Sequence, residues 1–157
     1  MDLYLAIKLR MDLTGASEEV AGWPEGRSWP LAEPAKITLG GGAALRRPLL
    51  QLGLDPAAGS MTARAAGGCL HYFRLADATL RPLAAEAALA LARGDAYIAV
   101  SPGALQLADS PAIARYLHLH DSFNAERLAE GLLDFMAQES GQAEFPEAVT
   151  VIVVEAR

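Results

Sequence analysis

The feature that most constrains this chain lies near its end, where Val149 to Val154 forms a continuous apolar run. Continuous rather than alternating hydrophobicity belongs to a strand buried on both faces. Whatever precedes it must supply cover on two sides. The opening of the chain has the other pattern: Leu3, Leu5, Ile7 and Leu9 alternate with Tyr4, Ala6, Lys8 and Arg10, the period of two expected of a half-buried strand. Asp12 to Gly15 then reads as a turn.

From Gly22 to Pro34 the chain holds Pro24, Pro30 and Pro34 with Gly22 and Gly26. That composition blocks regular ladders and predicts a loop, with Trp23 and Trp29 as its anchors. Ala35 to Leu39 predicts a short strand that runs into Gly40-Gly41-Gly42, where backbone without side chains permits a tight turn. Leu45, Leu49 and Leu52 predict a helix over Ala43 to Leu52, distorted or begun by Pro48. Ser60 to Leu83 predicts three short strands in an antiparallel meander, broken at Gly67-Gly68 and at Ala76-Asp77-Ala78. Ala84 to Ala92 favours helix by propensity, Gly94-Asp95 stops it, and Ala96 to Val100 is another buried strand. Ser110-Pro111 opens a helix in the cap-then-proline manner. Asn124 caps the next, whose stripe of Ala125, Leu128, Leu132, Phe135 and Met136 runs up to Gly141. The order predicts an α+β chain, one domain over residues 1–157, with helices segregated from sheet.

Composition bounds the partners. Hydrophobic residues are 52% of the 157, enough to bury a core of ordinary size. With 13 Lys+Arg against 19 Asp+Glu the net charge is −6, and the largest basic cluster is Arg46-Arg47. A nucleic-acid backbone binder needs many more basic contacts. No apolar run reaches the roughly 18 residues of a membrane span, and Met1-Asp2 opens into a strand-like pattern rather than a leader. The expectation is a cytoplasmic protein. Cys69 stands alone, so it reads as a small buried side chain rather than half of a disulfide or part of a zinc site. His71, His118 and His120 have no metal-ligand spacing on the elements assigned to them, and the last two suit the negative pole at a helix end. Ser101 follows a strand, but no Gly-x-Ser-x-Gly elbow surrounds it, so it reads as a turn serine.

The second half resembles a known family, the metal-dependent serine/threonine phosphatases called PPM or type 2C. There a Gly-Asp turn leads into an apolar strand ending in Ser-Asp-Gly, then two helices, then a closing Asp-Asn and a Thr-Val-Val-Val strand. Here Gly94-Asp95 leads into Ala96 to Val100 and Ser101-Pro102-Gly103, helices follow at about Ser110 to His118 and Asn124 to Glu139, and Glu147 to Val154 closes the chain. The first half is similar in pieces. Gly59-Ser60-Met61-Thr62-Ala63 resembles the Gly-Ser/Thr-Thr-Ala strand start, and Ile37 to Gly42 sits where the family has Val-Ala-Asp-Gly-Met-Gly-Gly. Leu70 to Leu80 resembles the Gly-Asp-Ser-Arg hairpin, and Ser17-Glu18-Glu19 sits where the family has Asn-Glu-Asp. The resemblance implies a compact member: two stacked antiparallel sheets flanked by helices, the PPM phosphatase-like α-β-β-α sandwich.

It also implies what the site should hold. The family's chemistry uses two divalent cations bridged by carboxylates, which activate a water and clamp phosphoryl oxygens, and Mg²⁺ or Mn²⁺ needs charged oxygen ligands. The bridging Asp is matched by Leu39, followed by Gly40, and the Asp of Ser-Asp-Gly by Pro102, between Ser101 and Gly103. Neither supplies an oxygen. Glu147 matches the closing Asp and Glu18 or Glu19 the first acidic residue, while Arg10 lies near the family's phosphate-gripping Arg. The expectation is therefore a pseudophosphatase without catalytic residues or cofactor. Its role would be an interaction or regulatory scaffold, with Trp23 and Trp29 as contact residues. Its partner would be a kinase, a phosphoprotein or a component of a multiprotein complex. The alternative is a weak Mn²⁺- or Mg²⁺-dependent phosphoserine/phosphothreonine phosphatase using Glu18 or Glu19 with Glu147; a third reading is a phosphopeptide-binding β-module.

Overall fold

A computed structural model describes residues 2–16, 18–22, 30–41, 50–65, 71–74, 79–82, 86–94, 96–101, 103–119, 124–142 and 144–157. In chain order its elements are β1 (Leu3–Arg10), β2 (Glu18–Ala21), β3 (Ala35–Gly41), β4 (Leu50–Asp55), β5 (Ser60–Ala65), β6 (His71–Arg74), β7 (Thr79–Pro82), β8 (Glu86–Ala90) and β9 (Ala96–Val100), then α1 (Ala104–Leu107), α2 (Ser110–Leu119), α3 (Ala125–Ser140) and β10 (Val149–Ala156). Among the described residues the strands form two antiparallel sheets of five, ordered β1-β10-β9-β6-β7 and β2-β3-β4-β5-β8.

The closing run behaves as its composition requires. β10 lies between β1 and β9, and both of its faces are covered. Val149, Val151 and Val153 pack with Ala104, Leu107, Ile113, Leu117, Leu128 and Leu132 of the helices, while Ile152, Val154 and Ala156 pack with residues of the second sheet, among them Ile37, Leu52 and Met61. The described helices all cover this first sheet. The expected α+β sandwich of stacked sheets is present, and no described helix is long and apolar enough to cross a membrane.

Four sequence expectations are corrected. The helix foreseen for Ala43 to Leu52 is not continued at its end: Leu50 to Leu52 belong to β4, where Leu50, Leu52 and Leu54 alternate into the core; residues 43–49 lie outside the described residues. Ser60 to Leu83 is not one meander, because β5 pairs with β4 and β8 while β6 and β7 form a hairpin in the other sheet beside β9. The Ala84 to Ala92 stretch holds β8 rather than a helix, since its pairing with β5 overrides the weak helical preference of Ala and Leu. Two further elements, β2 and α1, were not foreseen, and α2 is capped by Asp109, whose Oδ1 accepts the Ala112 N–H at 2.8 Å, rather than by Ser110. Trp23, Trp29, Gly42, Gly67, Gly68, Cys69, Asp77, Asp95, Pro102 and His120 lie outside the described residues.

Candidate functional site

Two short connections decide where the functional positions meet. Residues 11–17 link the end of β1 to the start of β2, and residues 91–95 link the end of β8 to the start of β9. β9 begins opposite Glu155 and β1 opposite Ala156, so the second link lies at the far end of the sandwich from the first. The near end therefore collects the end of β1, the end of β9 and the start of β10 from one sheet. From the other it takes the start of β2 and the end of β3.

Those are the positions singled out from the sequence. Glu18 stands opposite Gly41, Glu19 opposite Gly40 and Val20 opposite Leu39; Arg10 stands opposite Val149; Ser101 and Gly103 follow β9. The fold thus brings together Glu18, Glu19, Leu39, Gly40, Arg10, Ser101, Gly103 and Glu147 at one end, although they span most of the chain.

Several of these residues make contacts that build the fold. Leu39 is 1% exposed and sits in the apolar cluster between the sheets with Leu3, Leu5, Ile37 and Leu50. Ser101 is buried: its Oγ accepts the Thr150 N–H at 2.9 Å and its own N–H donates to the Thr150 carbonyl at 3.0 Å. Gly103 leaves no room for a side chain, since a Cβ there would stand 2.7 Å from the Ala148 carbonyl oxygen. Glu147 is exposed, and its Oε1 accepts the Gln106 Nε2–H at 2.8 Å. The Arg10 guanidinium lies over the Phe145 ring at 4.4 Å, a cation–π contact. His118 is in the last turn of α2, the place foreseen for it.

Residues assigned no site role from the sequence also build this end, among them Asp12 of the expected turn. Asp12 holds the β1–β2 link: its Oδ1 accepts from the Thr14 N–H (2.8 Å), the Thr14 hydroxyl (2.6 Å) and the Ala16 N–H (3.0 Å). The Thr14 hydroxyl bond is the largest influence keeping its carboxyl below the ordinary value of 3.8. The Asp-x-Thr-Gly spacing was a legible turn signal. Gln106 and Thr150 carried none, because their partners are 41 and 49 residues away.

Among the described residues the donor set does not fit a two-cation centre: Leu39, which the resemblance matches to the bridging carboxylate, is a core residue, and no group of three or more His, Cys, Asp or Glu could hold a metal ion.

The architecture is that of the PPM, or PP2C-type, phosphatase domains. No family model and no curated protein sequence matches the chain, so the likeness is one of structure. It covers 100% of this chain and 99% of "PppA, a key regulatory component of T6SS in Pseudomonas aeruginosa", with a TM-score of 0.67 at 15% identity. Against the Mycobacterium tuberculosis serine/threonine phosphatase PstP/Ppp it covers 100% of both chains, with a TM-score of 0.67 at 11% identity. Against the SiaA-PP2C domain of Pseudomonas aeruginosa it covers 98% of this chain and 86% of that one, with a TM-score of 0.72 at 12% identity.

Proposed function

We propose that this chain is a phosphatase-like domain without catalysis, kept as a regulatory scaffold that binds another protein. One observation carries the reading: Leu39, at the place of the bridging carboxylate, is an integral part of the core between the sheets. Fold and function separate when the site is gone. A hard divalent cation needs anionic oxygens, and neither Leu39 nor Pro102 has one to give. The PPM-like PppA, described as a key regulatory component, supports a regulatory rather than a metabolic role. The partner is a kinase, a phosphoprotein or a member of a multiprotein complex, and the net charge of −6 favours a basic one.

The test is calorimetric titration with Mn²⁺ together with turnover of a chromogenic phosphate ester. We expect no saturable heat up to millimolar Mn²⁺ and no turnover. Binding at two sites, or turnover that disappears in Glu147→Ala, would make the protein a weak phosphatase. The pairing of Glu18 and Glu19 with Gly41 and Gly40, at the same end as Glu147, is the observation that favours this second reading.

A further inference from the structure

Among the described residues the two sheets have four edge strands, β1 and β7 in one and β2 and β8 in the other. An edge is a row of unpaired N–H and C=O groups, and natural sheets blunt it with charge, proline or cover. Three of these four carry such a feature in their contacts or their sequence. The Leu31 N–H donates to the Leu3 carbonyl at the β1 edge at 2.9 Å; β7 contains Arg81 and Pro82; β2 opens with Glu18-Glu19. β8 reads Glu-Ala-Ala-Leu-Ala, with neither charge nor proline after its first residue.

Which groups β8 offers follows from its ladder. The Leu91 N–H donates to the Gly59 carbonyl at 2.9 Å, in line with β5. Backbone groups alternate sides along an antiparallel strand, so Ala87 and Leu89 turn theirs toward β5. Glu86, Ala88 and Ala90 turn theirs to the edge. The Ala90 carbonyl already accepts the hydroxyl of the buried Tyr97 at 3.0 Å, so a partner strand would use that oxygen's second lone pair. Among the described residues, no hydrogen bond to the N–H or C=O of Ala88 is seen outside the strand's own ladder.

We propose that β8 is a self-association edge. Two copies of this chain pair β8 antiparallel about a two-fold axis at Ala88, joining two five-stranded sheets into one of ten. A second copy fits because the edge is complementary to itself. Centred on Ala88, every outward N–H faces an outward C=O. Ala88 stands opposite Ala88 and Glu86 opposite Ala90, so no like charges meet, as they would if two β2 strands paired. The central side chains are methyl groups that allow close approach, and the contact is isologous, as a closed dimer requires. The proposal does not depend on whether the domain is catalytic.

Light scattering and sedimentation of the full chain test it. The expected species at micromolar concentration has twice the 16.6 kDa chain mass. Ala88→Pro removes an N–H that the chain's own sheet does not use, a substitution edge strands tolerate; it should weaken the dimer roughly thirtyfold or more by loss of both central bonds. Ala88 is exposed, so Ala88→Lys and Ala88→Glu keep the monomer fold. Each alone should be monomeric through like-charge opposition, and an equimolar mixture should restore the dimer. A monomeric wild type would overturn the proposal. So would a dimer that survives both charged variants, since it would use another surface.

Discussion

Ser101 shows how much one side chain at the site end carries. Its Oγ is the acceptor for the buried Thr150 N–H, so Ser101→Ala removes a buried hydrogen bond and should cost about 0.5–1.5 kcal/mol in urea unfolding. A change under about 0.5 kcal/mol would show that the hydroxyl is dispensable. By the same measurement Gly103→Ala should cost about 1–3 kcal/mol, because its Cβ meets the Ala148 carbonyl oxygen, which is backbone and cannot swing away. Asp12 gives a pH signature. Its folded carboxyl titrates below the ordinary 3.8, first through the Thr14 hydroxyl bond. Stability from this group is therefore fully present above 3.8 and is lost as pH falls through the lower folded value. Asp12→Asn should be less stable than wild type at neutral pH, with the gap closing in acid; a gap constant with pH would refute the charge-based account. Sequence alone assigned Ser101 no nucleophile role, because the nucleophile elbow is missing. It could not supply Thr150, since nothing local links residues 49 positions apart.

At the scale of elements, legibility followed the range of the determining contacts. α3 was readable because its signals are its own: the Asn124 Oδ1 accepts the Arg127 N–H at 2.9 Å, and Gly141 ends the helix at a φ of 67°. Asn124→Ala should cost about 1 kcal/mol and lower the thermal midpoint by roughly 2–4 °C; no shift would mean the Ala125 N–H bond to Glu155 already fixes this end. β9 and β10 were readable for a related reason, since strands covered on both sides have to be apolar throughout. β4 and β8 were misread. Leu52 fits a helical period with Leu45 and Leu49 and a strand period with Leu50 and Leu54, a run of Ala and Leu fits either, and the choice is made by pairing with β3 and β5. The glycines after β5 marked a break in the chain, yet nothing in them says that the next strand joins the other sheet.

For the whole molecule, the end that gathers Glu18, Glu19, Gly40, Ser101 and Glu147 was recoverable because the resemblance to PPM phosphatases fixes an order of segments, and the two-sheet topology places that order at one end. On the proposed reading the chemistry turns on Leu39, where the demands of fold and site conflict. As part of the cluster between the sheets, it stabilises the sandwich in the place where a carboxylate would serve a metal. Leu39→Ala should cost about 2–5 kcal/mol through lost transfer energy and the cavity left behind. Leu39→Asp should cost more, because a carboxyl without a partner enters an apolar layer. The pair of variants also measures whether any metal-binding capacity remains. If the surrounding carboxylates lack the geometry for a cation, millimolar Mn²⁺ leaves the midpoint of Leu39→Asp where it was. If Mn²⁺ raises that midpoint while leaving Leu39→Ala unmoved, ligand linkage would show that one substitution restores a binding site, and the scaffold reading would give way to a phosphatase one leucine from its metal.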